Sequence, residues 1–439
     1  MRRQIKYIAG AASIVAGLFL IYVYVQIHGA EWNKFWGMIG GTLLISLGIS
    51  LYLRRENFAL KLSRVFVGLV FLYSGFVKAV DPLGSNYKFI DYFDAWGLHS
   101  LAPTALFLSF LLSMAEFVIG GLLLFKVLPR MGSWFALIFM VIFTPVTLYL
   151  AMQQQVSGHE LVHDCGCFGD ALILTNWQTF WKNVLLFVPS MVIFYWRNRE
   201  TSRIGLRNQW ILAGTMCVFS LVVSWYGLQH LPIIDFRPYK IGTHIPTAMA
   251  IPPGAKQPVY DTKLIYKKKA SGEQQEFTLQ NYPQDTLWEF VDSKNVLLEE
   301  GYTPPIHDFT MVGPDGDITQ EVLADTGLVF MIVEYDLDKS DGDVQAELNA
   351  ICNAAMKDGR RVLALTASLD EKIDSLKVKH DVHYNFYKTD PITLKTVVRS
   401  NPGLVLIKNG TVLMKWHHND LPSYTQIIEK YSNKNGNKE

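Results

Sequence analysis

Long apolar stretches decide what this chain can fold into. A bilayer core needs about 20 apolar residues in helical form, because lipid offers the backbone no hydrogen-bond partner. Seven stretches fit that need: Tyr7–Val25, Phe35–Leu53, Val65–Val80, Leu106–Leu128, Trp134–Met152, Trp177–Trp196 and Trp210–Leu228. Several begin or end on Trp or Tyr, as interfacial anchors do. The first is too long for a cleaved leader and lacks a small-residue cleavage site. With 50% hydrophobic and 18% charged residues in 439, the composition is not that of an ordinary soluble protein. A net charge of +1 gives no argument for nucleic acid or an acidic partner. Neither G-x-x-x-x-G-K-[ST] nor G-x-G-x-x-G occurs. After residue 231 the chain reads as water-soluble, ending in the polar "SNKNGNKE". The expectation is a multi-pass α-helical membrane protein of seven spans carrying an α/β domain.

Lys and Arg in the short loops set the orientation. One set of loops holds Arg2, Arg3, Lys6, Arg54, Arg55, Lys61, Arg64, Lys126, Arg130, Arg197, Arg199, Arg203 and Arg207. The alternate set holds Lys34 and Lys88. The N-terminus is therefore expected in the cytoplasm and the C-terminal domain outside it. In a bacterial inner (plasma) membrane, outside means the periplasm, an oxidising compartment where disulfides persist.

Between the fifth and sixth stretches lies "HDCGCFGD", His163–Asp170, with two of the chain's four cysteines. Cα atoms two residues apart reach disulfide range, about 4.4–6.8 Å, only if the chain turns. Gly166 permits that turn, and a ring so tight is strained and easily reduced. Thr175 and Gln178 form a Thr-x-x-Gln capping box that starts the next helix close by. Its N-terminus can favour a thiolate if the loop folds back. Three readings stay open at this point. Cys165 and Cys167 are a redox pair, or a structural loop clip, or they join His159 and His163 as ligands of zinc or copper, with Asp164 and Asp170 near. Cys217 and Cys352 read as packing residues.

Glu116, in "LLSMAEFVIGG", falls near the middle of the fourth stretch, where a carboxylate is costly. Proton carriage, hydrogen bonding to a quinone and helix pairing all suit it. Lys78, near the outer end of the third stretch, is expected to snorkel to the interface or to pair with Asp81. Gly75 and Gly120–Gly121 suit close helix contact. In "NYKFIDYFDAWGL", Phe89, Ile90, Phe93 and Trp96 share a helical face opposite Asp91 and Asp94. That pattern predicts an interfacial helix roofing the opening above the third and fourth spans.

The run "RVFVGLVFLYSGFVKAVDPLG", the aromatic stretch, the acid in the next span and "DCGCFGDALILTNWQTFWKN" together resemble the DoxX/MauE family of four-helix, redox-associated membrane proteins. The resemblance covers about residues 61–200, and "CGCFGD" favours the MauE side. MauE-like proteins are linked to methylamine utilisation, in maturing the disulfide-rich small subunit of methylamine dehydrogenase. DoxX-like proteins are linked to quinone-coupled sulfur or thiol oxidation. The resemblance implies Cys165 and Cys167 as the redox pair. It places Lys78, Asp81 and Glu116 at family-like positions without fixing their roles.

Residues 233–302 read as strands and loops, with "KLIYKKKASGEQQEFTL" a hairpin about a Ser-Gly turn. From Thr303 strand and helix alternate. Strands are expected at Leu328–Val333, Arg361–Thr366, His383–Tyr387, Leu404–Lys408 and Thr411–Trp416, the last two joined at Asn409-Gly410. Helices are expected at Asp343–Lys357, Asp370–Lys379, after Asp390-Pro391, and at Leu421–Tyr431. Over residues 303–432 this order resembles the thioredoxin fold of membrane-tethered thiol-disulfide proteins, with Pro402 as its cis-proline. Where that family carries Cys-x-x-Cys, this chain reads "EYDLDKSDGD", Glu334–Asp343, taken as a solvated acidic loop. Without a thiolate there is no exchange chemistry in this domain.

The expected organisation is two N-terminal spans in 1–60, a DoxX/MauE-like four-helix domain in 61–200 and a seventh span in 201–232. A β-rich connector in 233–302, a thioredoxin-like domain in 303–432 and a tail in 433–439 follow. The expected function is a thiol-disulfide oxidoreductase component acting on extracytoplasmic thiols. Cys165 and Cys167 cycle, Glu116 manages a proton, and a quinone or another membrane partner exchanges electrons. An exported client protein or a thiol oxidoreductase is the expected partner besides the lipid bilayer. The rivals are a non-catalytic envelope scaffold with a structural clip and a metal-handling membrane protein.

Overall fold

The computed structural model describes residues 56–157, 162, 166–256, 259–269, 274–278, 281, 283, 287–299, 301–340 and 342–436. The chain divides into two units, 1–224 and 225–439.

The first unit is helical. Its elements are α1 (Glu56–Val80), α2 (Pro82–Ala95), α3 (Ala105–Leu124), α4 (Pro129–Ser157), α5 (Asn176–Tyr195) and α6 (Leu206–Gln229). The break between α1 and α2 is written at Asp81-Pro82. A residue before proline is pushed out of the helical region, and Asp81 has φ −126° and ψ 77°. Its carboxylate then accepts from the Gly84 amide at 3.1 Å, capping α2, while Pro82 takes the first turn. Glycine brings α1 and α3 together. A Cβ on Gly75 would lie 2.2 Å from the Phe117 amide nitrogen, and one on Gly120 would lie 2.2 Å from that of Leu72. Arg64 closes the far end of this pair, donating to the carbonyls of Leu123 at 2.5 Å and Leu124 at 2.9 Å. A cation on the last carbonyls of a helix suits its dipole.

Among the described residues, four helices are long and apolar enough to cross a membrane: Phe58–Val80, His99–Leu124, Pro129–Gln153 and Leu206–Gln229. They carry outward apolar side chains such as Phe107, Ile142, Val218 and Trp225, as contact with lipid acyl chains requires. They correspond to four of the seven expected stretches. The first two stretches, Tyr7–Val25 and Phe35–Leu53, lie outside the described residues. Trp177–Trp196 forms α5 but is not one of the four. Its first turns carry Gln178, Lys182 and Asn183, and the last two are buried inside the unit rather than replaced by apolar residues.

The second unit is α/β. A seven-stranded sheet runs β10-β9-β6-β7-β8-β4-β5. Its strands are β4 (Val312–Gly313), β5 (Gly316–Asp317), β6 (Val329–Val333), β7 (Arg361–Thr366), β8 (Asn385–Lys388), β9 (Gly403–Lys408) and β10 (Thr411–His417). β6, β7 and β8 are parallel, while β9, β10 and β4 run antiparallel to their neighbours. β6 is buried on both faces. Val329, Met331 and Val333 join one core and Phe330 and Ile332 the other, the period of two that a central strand imposes. Helices α9 (Gln345–Lys357) and α12 (Tyr424–Gly436) cover the second face through Leu348, Cys352 and Ile427. On the first face, α7 (Ile245–Met249), α8 (Thr319–Leu323) and α11 (Pro391–Val397) contribute Ile245, Val322 and Leu394. Helix α10 (Asp370–His380) links β7 to β8. The β9–β10 turn has positive φ at both Asn409 (45°) and Gly410 (65°), the conformation that favours Asn-Gly in two-residue hairpins. The Asn401–Pro402 peptide is cis.

A separate antiparallel sheet, β2-β1-β3, joins β1 (Val259–Lys268), β2 (Gln274–Thr278) and β3 (Trp288–Glu299). Phe277 packs edge-on against Tyr266 and Trp288 across it. The Ser-Gly turn expected between β1 and β2 lies outside the described residues.

Candidate functional site

Three helices place polar side chains at one depth of the first unit. Ser74 and Lys78 stand one turn apart on α1, so they share a face. Glu116 comes from α3, brought close by the glycine contact, and Lys182 comes from α5. All four are buried.

Lys78 Nζ lies 2.8 Å from Glu116 Oε2 and 2.8 Å from Ser74 Oγ, and it also donates to the Cys167 carbonyl. An ammonium has three donors, and these three acceptors use them all. Ser74 Oγ lies 2.7 Å from Glu116 Oε2 and 2.6 Å from the Cys167 carbonyl oxygen. A hydroxyl carries one hydrogen, so Ser74 donates to the carboxylate or to the carbonyl, one at a time. The backbone of Cys167 is thereby held on the buried acid–base cluster.

This arrangement corrects the reading of Lys78. It neither snorkels nor pairs with Asp81. It is 3% exposed and pairs with Glu116. A lone lysine here would reach for the interface, but a carboxylate at the same depth offers a stronger partner. Asp81 instead caps α2.

A cavity of about 230 Å³ opens beside the cluster. Ser74, Lys78, Glu116, Cys167, Lys182 and Asn183 supply its polar wall, and aromatic side chains of α2 and α4 supply much of the rest. From α2 come Phe89, Tyr92, Phe93 and Trp96. The aromatic helix therefore closes over this space, although Ile90 does not line it. Phe168, next to Cys167, packs its ring under Lys182, whose Nζ is 4.8 Å from the centroid. Asn183 Nδ2 donates to Thr147 Oγ1 at 3.1 Å, tying α5 to α4. Sequence reasoning missed Lys182 because it sits five residues after Trp177, an expected interfacial tryptophan, where a cation reads as an anchor.

Gly166 has φ +62°, the left-handed turn that suits glycine between two cysteines. Cys167 is disulfide-bonded, and Cys217 and Cys352 are free. Cys165, His159, His163 and Asp164 lie outside the described residues. Among the described residues no group of three His, Cys, Asp or Glu side chains could hold a metal ion. The capping box is present: the Gln178 amide donates to Thr175 Oγ1 at 3.3 Å, and the Thr175 amide donates to Gln178 Oε1 at 3.1 Å.

In the second unit, the residue that follows β6 departs from the solvated-loop reading. Glu334 is fully buried, and its Oε1 has no hydrogen-bond partner. Burial pushes its carboxyl up to about 7, with a long Ser340 hydrogen bond at 3.5 Å opposing. Cys352 lies nearby in α9, and burial pushes its thiol up to about 12, ahead of the effect of Glu334. Such a thiol stays protonated and inert. Beyond Glu334 the loop is half-buried at Tyr335, Asp336 and Leu337 and exposed at Asp338 and Lys339, with Lys339 paired to Asp336 at 2.9 Å and Lys372 to Asp338 at 2.7 Å. Asn401, beside the cis peptide, holds this loop by donating to the Asp336 carbonyl at 2.7 Å.

Residues 56–197 match the family model of methylamine utilisation protein MauE. Residues 260–300, which include most of β1 and all of β2 and β3, match a domain of unknown function, DUF8463. The chain matches no curated protein and no solved structure.

Proposed function

We propose that this membrane protein cycles Cys165 and Cys167 between dithiol and disulfide at the extracytoplasmic face of a bacterial inner membrane, acting on exported thiols. Cys167 is disulfide-bonded, and Cys217 and Cys352 are free. The observation that carries the reading is the clamp on Cys167. Lys78 and Ser74 bind its carbonyl and, through the same atoms, bind Glu116. Breaking the disulfide takes up two electrons and two protons, and forming it releases them. Glu116 is the proton-exchanging group, and the Ser74 hydroxyl, free to point either way, links it to the cysteine loop. The buried Lys78 ammonium lies 2.8 Å from Glu116 Oε2 as its counter-charge.

The MauE match on residues 56–197 supports a role in maturing exported, disulfide-rich proteins of the methylamine utilisation type. The basic loops support a cytoplasmic N-terminus and a periplasmic second unit. The strand order supports a thioredoxin-like reading of residues 303–432. With Glu334–Asp343 free of cysteine, that domain binds a client protein rather than exchanging thiols with it. Trapping tests the function. Cys165→Ser or Cys167→Ser is expected to accumulate a mixed disulfide with an exported protein, resolved by reductant. No adduct from either variant, with unchanged thiol states in exported proteins, overturns the reading.

A further inference from the structure

The charges that line the cavity of the first unit do not balance. Among the described residues, three lysines line it, Lys78, Lys88 and Lys182, against one carboxylate, Glu116. Lys78 takes that carboxylate at 2.8 Å and spends its other donors on Ser74 and Cys167. Lys88 is half-buried, with its stem beside Gly166. Lys182 is 5% exposed, and its ammonium has no hydrogen-bond acceptor among the described residues. It lies over the face of Phe168, 4.8 Å from the ring centroid. A cation–π contact offsets part of the cost of burying an ammonium but supplies no counter-charge. Lys182 is therefore a cation on a cavity wall that lacks its anion.

The rest of the lining limits what can bring that charge. Phe71, Phe89, Tyr92, Trp96, Phe139 and Phe143 make most of the wall apolar and aromatic. A small inorganic oxyanion would lose its water on every side there and regain few donors. An amine would add a charge of the wrong sign, and a neutral ring would bring no counter-charge. A carboxylate on an apolar body keeps its two oxygens at one edge and lays carbon against the aromatic faces. Asn183, next to Lys182 on α5 and also on the cavity wall, spends one amide hydrogen on Thr147 and carries a second. At about 230 Å³ the cavity is smaller than the roughly 300–1,000 Å³ of drug-sized sites, so the body is a single ring or a short alkyl chain. We propose that the cavity binds an apolar monocarboxylate, with Lys182 Nζ donating to the carboxylate.

The site borders the proposed thiol chemistry without depending on it. The acid binds and leaves unchanged, and no electron is transferred. Lys182 lies over the ring of Phe168, the residue that follows Cys167, so an acid that draws the ammonium is coupled to the cysteine loop through one side chain. An aryl acid from solution and an alkyl acid released from lipid carry the same headgroup, and the shape of the body separates them.

Equilibrium binding of radiolabelled phenylacetate and of radiolabelled octanoate to the full chain in nanodiscs tests the site. At least one acid is expected to bind saturably. Phenylacetamide, which lacks the charge, and phenethylamine, which reverses it, are each expected to compete at least tenfold more weakly than phenylacetate. Lys182→Met is expected to weaken binding at least tenfold and Lys182→Arg by less than threefold. Val146→Trp, which fills the cavity from α4 and leaves the lysine in place, is expected to abolish binding even if the methionine variant fails to fold. Tighter binding of octanoate supports the site and assigns it to acids released from lipid; tighter binding of phenylacetate supports it and assigns it to aryl acids. Three results overturn the site: no saturable binding of either acid, binding unchanged in both Lys182→Met and Val146→Trp, or competition by the amide or the amine equal to that by phenylacetate. Acid binding with inert thiols would sink the proposed function alone, and cycling thiols without acid binding would sink this inference alone.

Discussion

Lys78 Nζ and Glu116 Oε2 lie 2.8 Å apart on neighbouring helices, both buried, and the Cys167 carbonyl is bound to the same lysine. An ion pair in that setting is there because each partner makes the other tolerable. Ionisable groups at membrane depth are costly and characteristically pair with one another.

Removing one partner leaves the other charge buried. Glu116→Leu is therefore expected to lower stability by about 3–5 kcal/mol, read as a fall in the melting temperature of the protein in detergent. The double variant Lys78→Met/Glu116→Leu is expected to recover most of that loss. Equal losses in single and double variants would show that the pair does not set the stability of this site.

The α1–α3 contact has no room for a side chain at Gly75, where a Cβ would meet the Phe117 backbone at 2.2 Å. Backbone cannot swing aside as a side chain can. Gly75→Leu is expected to cost more than the ~1–3 kcal/mol typical of overpacking and to remove the Lys78–Glu116 contact with it. A variant that expresses and melts like the wild type would contradict the close approach.

Glu334 makes the second unit sensitive to pH. Burial raises its folded value to about 7, above the usual carboxylate range. Between about pH 4.3, the ordinary glutamate value, and pH 7 the unfolded chain has lost this proton and the folded chain has kept it. Stability from this group is complete below about pH 4 and is lost as pH rises through 7, by an amount of order 3 kcal/mol. Hydrogen exchange of β6 amides in the full chain is expected to quicken over that range. Glu334→Gln is expected to flatten the dependence.

Asp235 joins two buried cations in the second unit, accepting from Arg237 Nε at 2.7 Å and from Lys415 Nζ at 2.8 Å. Burial opposes its ionisation, but Arg237 and Lys415 together bring its carboxyl down to about 2. Asp235→Asn leaves both cations without their counter-charge and is expected to destabilise the unit by about 3–5 kcal/mol. Urea titration of the full chain, followed by limited proteolysis within 225–439, measures it.

Much of this was legible in the residues, for reasons that also explain the failures. The helices and strands carry strong local signals: apolar length, Asp81-Pro82, Thr175-x-x-Gln178, Asn409-Gly410. Glu116 stood out because a carboxylate in "LLSMAEFVIGG" has no local explanation. Its partner did not, because Lys78 has an easy local one in snorkelling. Only the approach of α1 to α3 at Gly75 and Gly120 brings Glu116 within reach. Lys182 was hidden among aromatic and polar residues that read as an interface, and its burial depends on α2 and α4 closing around it. Glu334 was hidden in an acidic run. Asp338 and Lys339 are exposed as their composition indicates, but Glu334 continues the buried end of β6.

The most direct test of the thiol chemistry is the state of Cys165 and Cys167 in living cells. Rapid acid quenching followed by a mass-shifting thiol reagent separates dithiol from disulfide, with Cys217→Ser and Cys352→Ser removing the background. The pair is expected to move between the two states when respiration is blocked and restored, and Lys78→Met or Glu116→Gln is expected to slow that movement at least tenfold. A disulfide that stays closed under every condition, in wild type and variants alike, would contradict it and leave the sulfurs as a structural clip.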